Sequence, residues 1–357
     1  SLSQNRRNIS LSFGEPRFLG RELSASIQIF DSEIDFLQEA GFRQSSRGGT
    51  VSFGFRLTEN TSLSARYSLR NQELDFPDSG QCDAILGANG TGASVAASNI
   101  QLVSLCEQVD GQLSSILGYT FNWDKRNDPI TPTRGFNFRF GQDLAGIGGD
   151  VKYLRTDAEA NFYRGLIPGV VSSLRLVGGY IRGWGGDSVT VNDRYFKGSF
   201  DFRGFDNAGV GPRTLTFNAD TGSTNINGVD GRGQALGGNL FGLATAEVSF
   251  PVGVPQLTGS LWAEAGTVGF LDEDQRFNII LDPGTSGLTA GDSCEGVTTA
   301  GVLCQRTADD LALRSIIGAS VFWESPFGPI RFDFTKPIVE VDFDDRKSFQ
   351  FTTRTRF

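Results

Sequence analysis

Hydrophobic and polar residues alternate along most of the chain. In "TVSFGFRLT" (residues 50–58), Val51, Phe53 and Phe55 alternate with serine, glycine and arginine, and the same period of two recurs in "PIRFDFT" (329–335). Strict alternation predicts β-strands that have one apolar and one polar face. It places thirteen strands, near 8–14, 22–31, 49–58, 62–71, 114–124, 135–142, 152–163, 172–183, 238–250, 257–268, 313–324, 329–339 and 347–357.

The connections between these strands fall into two length classes. Short turns rich in proline and glycine, such as "IPGVV" and "SPFGP", alternate with long polar loops near 32–48, 72–113, 184–237 and 269–312. Short turns on one rim and longer loops on the other are typical of outer-membrane β-barrels.

Charges on the polar faces favour a membrane barrel over a soluble protein. A soluble β-sandwich packs its apolar faces against each other. Here the polar faces carry charges at strand centres: Arg56, Arg66, Arg70, Arg155, Asp157, Glu159, Arg331, Asp333, Arg354 and Arg356. Such charges suit a wide, wet lumen, whereas the apolar faces then meet lipid and require a closed barrel. We therefore predict an all-β fold, a transmembrane antiparallel β-barrel, with a large soluble β-protein as the alternative.

The predicted strand count is odd, although single-chain bacterial barrels have an even number of strands. The alternation in "FQFTTRTRF" predicts a strand that runs to the last residue. Either the count is wrong by one, or the chain lacks an odd number of strands at its start.

Composition restricts the chemistry of the chain. It has a net charge of −9, 46 glycines, 30 phenylalanines and no histidine. Nucleic-acid binding is not expected, because phosphate contacts need a basic surface. A Ser/His/Asp or Cys/His arrangement is impossible without histidine, and glycine-rich stretches such as "GVGPR" lack the strand–loop–helix context of a phosphate-binding loop. We predict no enzyme activity and no cofactor.

The four cysteines form two local pairs in polar loops. Cys82 and Cys106 lie in one loop, and Cys294 and Cys304 in another. This placement predicts two loop-stapling disulfides and an oxidising compartment. Free thiols or a metal site are the alternatives, although neither a histidine nor a Cys-x-x-Cys motif supports a metal.

The loop at 184–237 contains an aromatic, glycine-rich stretch, "RYFKGSFDFRGFDNAGVGPR" (194–213), without a strand pattern. A structureless segment this long is usually functional or disordered. Its centre, Phe202-Arg203-Gly204-Phe205, and the following Gly211-Pro212-Arg213 resemble the sixth extracellular loop of the BamA family of outer-membrane barrel-assembly proteins. The family's usual valine is Phe202 here.

Other segments carry the same resemblance. "WDKRNDPITPTRGF" (123–136) resembles a periplasmic turn of that family, and "LWAEAGTVGF" (261–270) and "KSFQFTTRTRF" (347–357) resemble later strands. The resemblance is strong from about residue 114 onward and implies an integral protein of the outer membrane of a Gram-negative bacterium. It also implies that residues 1–357 form a C-terminal barrel domain that holds about 13 of a likely 16 strands. The first strands and the periplasmic POTRA repeats would then be absent from these 357 residues.

The resemblance gives the loop a predicted anchor. A segment of this kind can fold back into a lumen too wide for strand side chains to fill. Arg203 would then need acidic partners, because an unpaired buried charge is very costly. Glu247 and Glu264 project inward in our strand assignment and match acidic positions of the family. The alternative is that all three are ordinary solvated charges of the lumen.

The resemblance also implies a non-enzymatic insertase. The first and last strands of such a barrel would meet at a weakly paired seam, where a strand of an incoming protein could pair. In the last strand Phe349, Phe351 and Phe357 share one face. Implied partners are nascent outer-membrane β-barrel proteins, accessory lipoproteins of an assembly complex, and outer-membrane lipid or lipopolysaccharide.

Three other functions stay open from the sequence. A passive channel would explain the charged lumen but leaves the Arg-Gly-Phe loop without a role. A related translocator, TamA-like or of the two-partner secretion type, shares that loop motif. A surface-exposed structural or adhesive barrel would account for the long loops only.

Overall fold

The computed structural model describes residues 2–3, 6–36, 42–75, 111–199, 201–222, 233–276, 278–284, 286–288, 292–309, 311–325 and 328–353. Regular structure in these ranges is β-strand, apart from three 3₁₀ turns at Phe18–Gly20, Val191–Asp193 and Glu273–Gln275. No helix in the described ranges is long and apolar enough to cross a membrane.

The strands are numbered here in chain order, with bounds as follows: β1 Leu2–Ser3, β2 Arg6–Glu15, β3 Leu23–Phe36, β4 Phe42–Arg56, β5 Thr61–Asp75, β6 Gln112–Asp124, β7 Arg134–Ala145, β8 Tyr153–Ile167, β9 Val170–Gly183, β10 Arg213–Asn218, β11 Leu240–Pro251, β12 Leu257–Gly269, β13 Asn278–Asp282, β14 Leu303–Ala308, β15 Arg314–Ser325, β16 Gly328–Val339 and β17 Phe349–Thr353. Each of the thirteen predicted strands is present, so the predicted all-β fold is confirmed.

Fourteen strands form one antiparallel sheet in the order β1 to β9, β11, β12, β15, β16 and β17. Neighbours in this sheet follow each other along the chain, as in a meander. The fourteenth member is β1, a two-residue strand that pairs with β2 and that the pattern did not indicate. The sheet order places β1 and β17 at its two ends.

A second, three-stranded sheet lies in the two long loops that follow β9 and β12. Its order is β10-β14-β13, so it joins residues that are about ninety positions apart, such as Phe217 and Cys304. We expected polar loops without strands here. The difference arises because these short strands are stabilised by pairing between two loops. Such pairing cannot be predicted from the alternation of neighbouring residues.

The apolar faces of the large sheet point outward. Val51, Phe53 and Phe55 are 38%, 37% and 42% exposed, and Leu11 on β2 is 76% exposed. The opposite face carries buried polar residues, such as Asp333 and Gln350. A water-soluble sandwich would bury the first set and expose the second. The observed orientation, with apolar residues outward and polar residues inward, is the one predicted for a membrane barrel.

A short turn at one rim is fixed by its own side chains. Between β6 and β7, the Asn127 side-chain oxygen accepts from the backbone N–H groups of Thr133 and Arg134 at 3.0 and 2.8 Å. Backbone N–H groups of Ile130 and Thr131 donate to Asp128 and lower the pKa of its carboxyl. These bonds satisfy the turn locally, so this rim needs no long loop.

Candidate functional site

Residues Arg194–Arg213, here called the lumenal segment, contribute four side chains to a buried hydrophobic cluster. Phe202 and Phe205 are 2% and 0% exposed, and their rings meet edge to face with centroids 4.9 Å apart. They belong to a cluster with Tyr195 and Val210 of the same segment. The cluster also includes inward-facing residues of the large sheet, here called the wall, such as Phe241, Trp262 and Ile316. The segment is aromatic because it fills a lumen that the strand side chains leave open.

Arg203 binds two carboxylates of the wall. Its Nε donates to Oε1 of Glu264 at 2.6 Å, and its Nη1 donates to Oε2 of Glu247 at 3.1 Å. The backbone N–H of Arg203 also donates to Oε2 of Glu264 at 2.9 Å. Glu264 lies on β12 and Glu247 on β11, so one guanidinium joins the segment to two adjacent strands. This planar, forked donor suits arginine rather than lysine.

A tryptophan and a third carboxylate complete the surroundings of Arg203. The guanidinium carbon lies 3.7 Å from the ring centroid of Trp262, which is directly opposite Glu247 in the strand register. Asp333 on β16 approaches Nη1 at 3.8 Å and also pairs with Arg331 at 2.8 Å. Our sequence reasoning assigned no role to Trp262, although alternation in "LWAEAG" places it on the same face as Glu264.

Two glycines of the motif permit close packing in a backbone conformation that other residues avoid. Gly204 has a φ of +84°, and a Cβ there would lie 2.8 Å from Cδ1 of Ile316. Gly211 has a φ of +113° and faces Val268, 3.1 Å from where its Cβ would be. Both positions therefore require glycine. The carbonyl of Pro212 accepts from the N–H of Leu236 at 2.8 Å, which ties the end of the motif to the returning chain.

The start of the lumenal segment is fixed to a different part of the wall. Arg70 on β5 donates to Asp193 at 2.7 Å, and Arg155 on β8 donates to the Asp193 carbonyl. The Tyr195 hydroxyl donates to Asp157 on β8 at 2.9 Å, and burial raises the pKa of this phenol. The segment is thus attached to β8 through Tyr195, and the residue before it to β5 and β8, while its centre is attached to β11, β12 and β16.

The centre of the segment also pairs with the chain that leads into β17. Backbone N–H groups of Lys347 and Asp206 donate to the carbonyls of Gly204 and Asp345, each at 2.9 Å. The Asp345 N–H donates in turn to the Gly209 carbonyl at 2.9 Å. The segment therefore contacts the backbone immediately before the last described strand.

Two of the three phenylalanines predicted on one face of the last strand, Phe349 and Phe351, lie among the described residues. Phe349 and Phe351 point outward and stack against Phe334 and Phe332 with centroids 5.3 and 5.4 Å apart. Gln350 points inward, and its amide contacts the Ser199 hydroxyl at 3.3 Å. Phe357 lies outside the described residues.

One predicted disulfide is present. Cys294 and Cys304 are bonded, which confirms this pairing, and the cystine packs with Ile280 and Val302 beside the three-stranded sheet. Cys82 and Cys106 lie outside the described residues. The bond closes a loop that leads into β14.

Comparison with known proteins agrees with this architecture. A family model of the Omp85 superfamily domain matches residues 1–357. The outer membrane protein assembly factor BamA of Neorickettsia risticii is 28% identical over 348 residues, which is 96% of this chain and 38% of the relative. The sorting and assembly machinery component 50 homolog of Bos taurus is 36% identical over 104 residues, 29% of this chain and 22% of that protein. The chain thus spans well under half the length of these relatives.

Solved structures share the fold. BamA from Haemophilus ducreyi lacking POTRA domains 1–3 superposes with a TM-score of 0.70 at 20% identity, covering 97% of this chain and 61% of that one. CdiB from Acinetobacter baumannii gives a TM-score of 0.50 at 11% identity over 96% of this chain and 48% of that one. The resemblance to the BamA family found in the sequence is confirmed, and because one family model covers all 357 residues, the chain belongs to the Omp85 superfamily.

Proposed function

We propose that this chain is the integral barrel of an outer-membrane protein assembly factor in a Gram-negative bacterium. It would insert and fold nascent β-barrel proteins through strand pairing at a lateral seam. The relatives named as BamA and as sorting and assembly machinery components support this role. Their names describe assembly rather than an enzymatic reaction, and we propose a non-enzymatic mechanism without a cofactor.

The single observation that carries the proposal is the double engagement of the lumenal segment. Arg203 binds Glu264 on the wall, while Gly204 and Asp206 bond to the backbone that precedes β17. The segment fills the lumen next to the strand at the end of the sheet. Substrate is therefore expected to use the edge of the sheet rather than the lumen, which disfavours a passive channel.

The chemistry of such an edge supports strand addition. A strand at the end of a sheet offers N–H and C=O groups to another chain. An incoming strand that pairs there gains hydrogen bonds worth about 0.5–1.5 kcal/mol each. Its apolar side chains gain about 25 cal/mol for each Å² moved from water into lipid. These terms require no nucleotide.

We propose further roles that follow from the same model. Residues 184–237 would be a long extracellular loop whose Arg-Gly-Phe motif holds the lumen closed. Phe349, Phe351 and Phe357 would border the seam. Accessory lipoproteins and outer-membrane lipid or lipopolysaccharide would be partners of the complete protein. A two-partner secretion translocator is the second candidate, for which the CdiB likeness supports the fold alone.

Reconstitution tests the proposal. The full-length protein that contains this chain is placed in liposomes, and a urea-denatured eight-stranded outer-membrane barrel is added as substrate. Faster appearance of protease-resistant, heat-modifiable substrate than in empty liposomes is expected. Planar-bilayer currents should be small and flickering. Large steady conductance without accelerated substrate folding would contradict the proposal and favour a channel.

A further inference from the structure

An ion pair outside the motif is completely enclosed. Arg314, the first residue of β15, and Asp344, in the connection between β16 and β17, each have a side-chain exposure of 0%. The guanidinium Nε and Nη2 donate to the two carboxylate oxygens at 2.9 and 3.0 Å. Both charges were removed from water to make this contact, which is costly unless the geometry is good and every donor is used.

Asp344 shapes the connection between the last two strands, residues 340–348. The Asp344 carboxylate also accepts from the backbone N–H of Val341 at 2.8 Å, and the backbone N–H of Asp344 donates to the Val341 carbonyl at 2.9 Å. Arg314 is itself held by a bond from Nη1 to the Ala312 carbonyl at 3.0 Å. The pair therefore fixes a tight turn to the beginning of β15.

The residues after this turn are held on two sides. On one side, Asp345 and Lys347 bond to the lumenal segment through backbone groups. On the other side, the Thr335 N–H donates to the Ser348 carbonyl at 2.9 Å, and the Thr335 hydroxyl donates to the Lys347 carbonyl at 2.6 Å. The chain is thus positioned up to the residue before β17.

The strand that follows begins directly after this fixed connection. The described part of β17 pairs with β16 through five residues, Phe349–Thr353. The register of β17 decides which face its phenylalanines occupy, because a slip by one residue would turn Phe349 and Phe351 inward.

We propose that Arg314 and Asp344 are positioning residues for β17. They hold the beginning of this strand in place and in register while the rest of the strand exchanges its pairing partner. This inference rests on the proposed assembly function and adds to it, because it assigns to residues outside the Arg-Gly-Phe motif the task of presenting the edge to a substrate strand.

Hydrogen exchange of the full-length protein in nanodiscs tests the positioning. The variant Asp344→Asn keeps the shape of the side chain but removes its charge, which leaves Arg314 buried without a counter-ion. We expect amides of residues 349–353 to exchange about tenfold faster or more, with β2–β9 unchanged. The matched control is Arg346→Gln, which breaks an exposed pair with Glu340 in the same connection and should change exchange by less than about twofold.

Two results would overturn the positioning role. One is unchanged exchange in β17 of Asp344→Asn. The other is an equal increase in β2–β9, which would mean that the pair stabilises the whole barrel. If the variant does not fold, the wild-type protein decides the matter. Amides of Asp345 and Lys347 should exchange about tenfold more slowly than those of residues 351–353, and equal rates would contradict the proposal.

A rescue experiment links positioning to assembly. In the Asp344→Asn background, Thr335→Cys and Ser348→Cys are added, because the Thr335 N–H donates to the Ser348 carbonyl at 2.9 Å and the two residues are therefore neighbours across β16 and the start of β17. Oxidation should restore both the slow exchange of β17 and substrate folding in liposomes. If β17 of Asp344→Asn exchanges faster but substrate folds normally, the proposed positioning role is refuted and the assembly function is not. If the wild-type protein folds no substrate, the proposed assembly function is wrong. The positioning role of Arg314 and Asp344 is then tested by the exchange data alone.

Discussion

Replacement of Arg203 by alanine tests the anchor of the lumenal segment. The change removes two charge-assisted hydrogen bonds, to Glu264 at 2.6 Å and to Glu247 at 3.1 Å. It also removes the contact with Trp262 and leaves Glu264, whose side chain is 3% exposed, without its counter-ion. Charged hydrogen bonds contribute about 1.5–3 kcal/mol each, and breaking a buried pair costs about 3–5 kcal/mol.

We place the expected cost near the lower end, at about 3 kcal/mol. The backbone N–H of residue 203 remains available to Glu264 in the alanine variant, and Thr245 lies within 3.4 Å of the same carboxylate. A cost of about 3 kcal/mol corresponds to about a hundredfold increase in the open population of the segment. The barrel strands should be unaffected, because their ladders do not depend on this side chain.

Amide hydrogen exchange of residues 198–213 in nanodiscs measures this opening. The control is Arg47→Ala, which removes an ion pair with Asp31 whose arginine is 68% exposed, and which should leave the segment unchanged. Cells that depend on the Arg203→Ala variant should contain less outer-membrane β-barrel protein. Exchange within about threefold of the wild type, together with normal barrel levels, would refute the anchor.

Three further results follow from the same contacts. Glu264→Gln should loosen the segment more than Glu247→Gln in the same exchange assay, because the Glu264 side chain is 3% exposed and that of Glu247 is 22% exposed; equal effects would contradict the assignment. Gly204→Ala should impair assembly in cells, because alanine is strained at a φ of +84° and its Cβ would lie 2.8 Å from a neighbouring side chain. In the control Gly242→Ala, the new Cβ meets no atom within 4 Å, so this change should be neutral. Cys304→Ser opens a disulfide between residues ten positions apart, so β13 and β14 should lose up to about 3 kcal/mol of stability while β2–β9 keep theirs, as followed by exchange; loss across the barrel would be the contrary result.

The strands of the barrel could be predicted because their signal is local. Val51, Phe53 and Phe55 alternate with small or polar residues, and the same face is exposed in the structure. The position of Arg203 between Glu247 and Glu264 also follows from the resemblance combined with strand phase. Each of these inferences depends on residues two positions apart or on a short motif.

The contacts that could not be predicted from the sequence join residues that are far apart in the chain. β10 does alternate, in "RTLTFN", but its partner β14 begins 85 residues after β10 ends, so pairing could not be anticipated. The role of Trp262 depends on Gly318, where a Cβ would lie 2.2 Å from the indole ring. The pairing of Arg314 with Asp344 likewise depends on a turn between two strands, which alternation does not describe.

Disulfide trapping between β17 and a substrate tests whether substrate strands pair at the edge of this sheet. A cysteine replaces Thr353, the last described residue of β17, and single cysteines are scanned along the last strand of a barrel substrate during assembly in liposomes. A control cysteine replaces Leu176, which faces lipid in the middle of the sheet on β9. We expect cross-links from position 353 to be strongest at one substrate residue, weaker at the residues two positions away and absent at the residues in between, as in a strand paired in one register, and we expect none from position 176. No cross-links from position 353, or equal yields from both positions, would contradict assembly at the edge of this sheet.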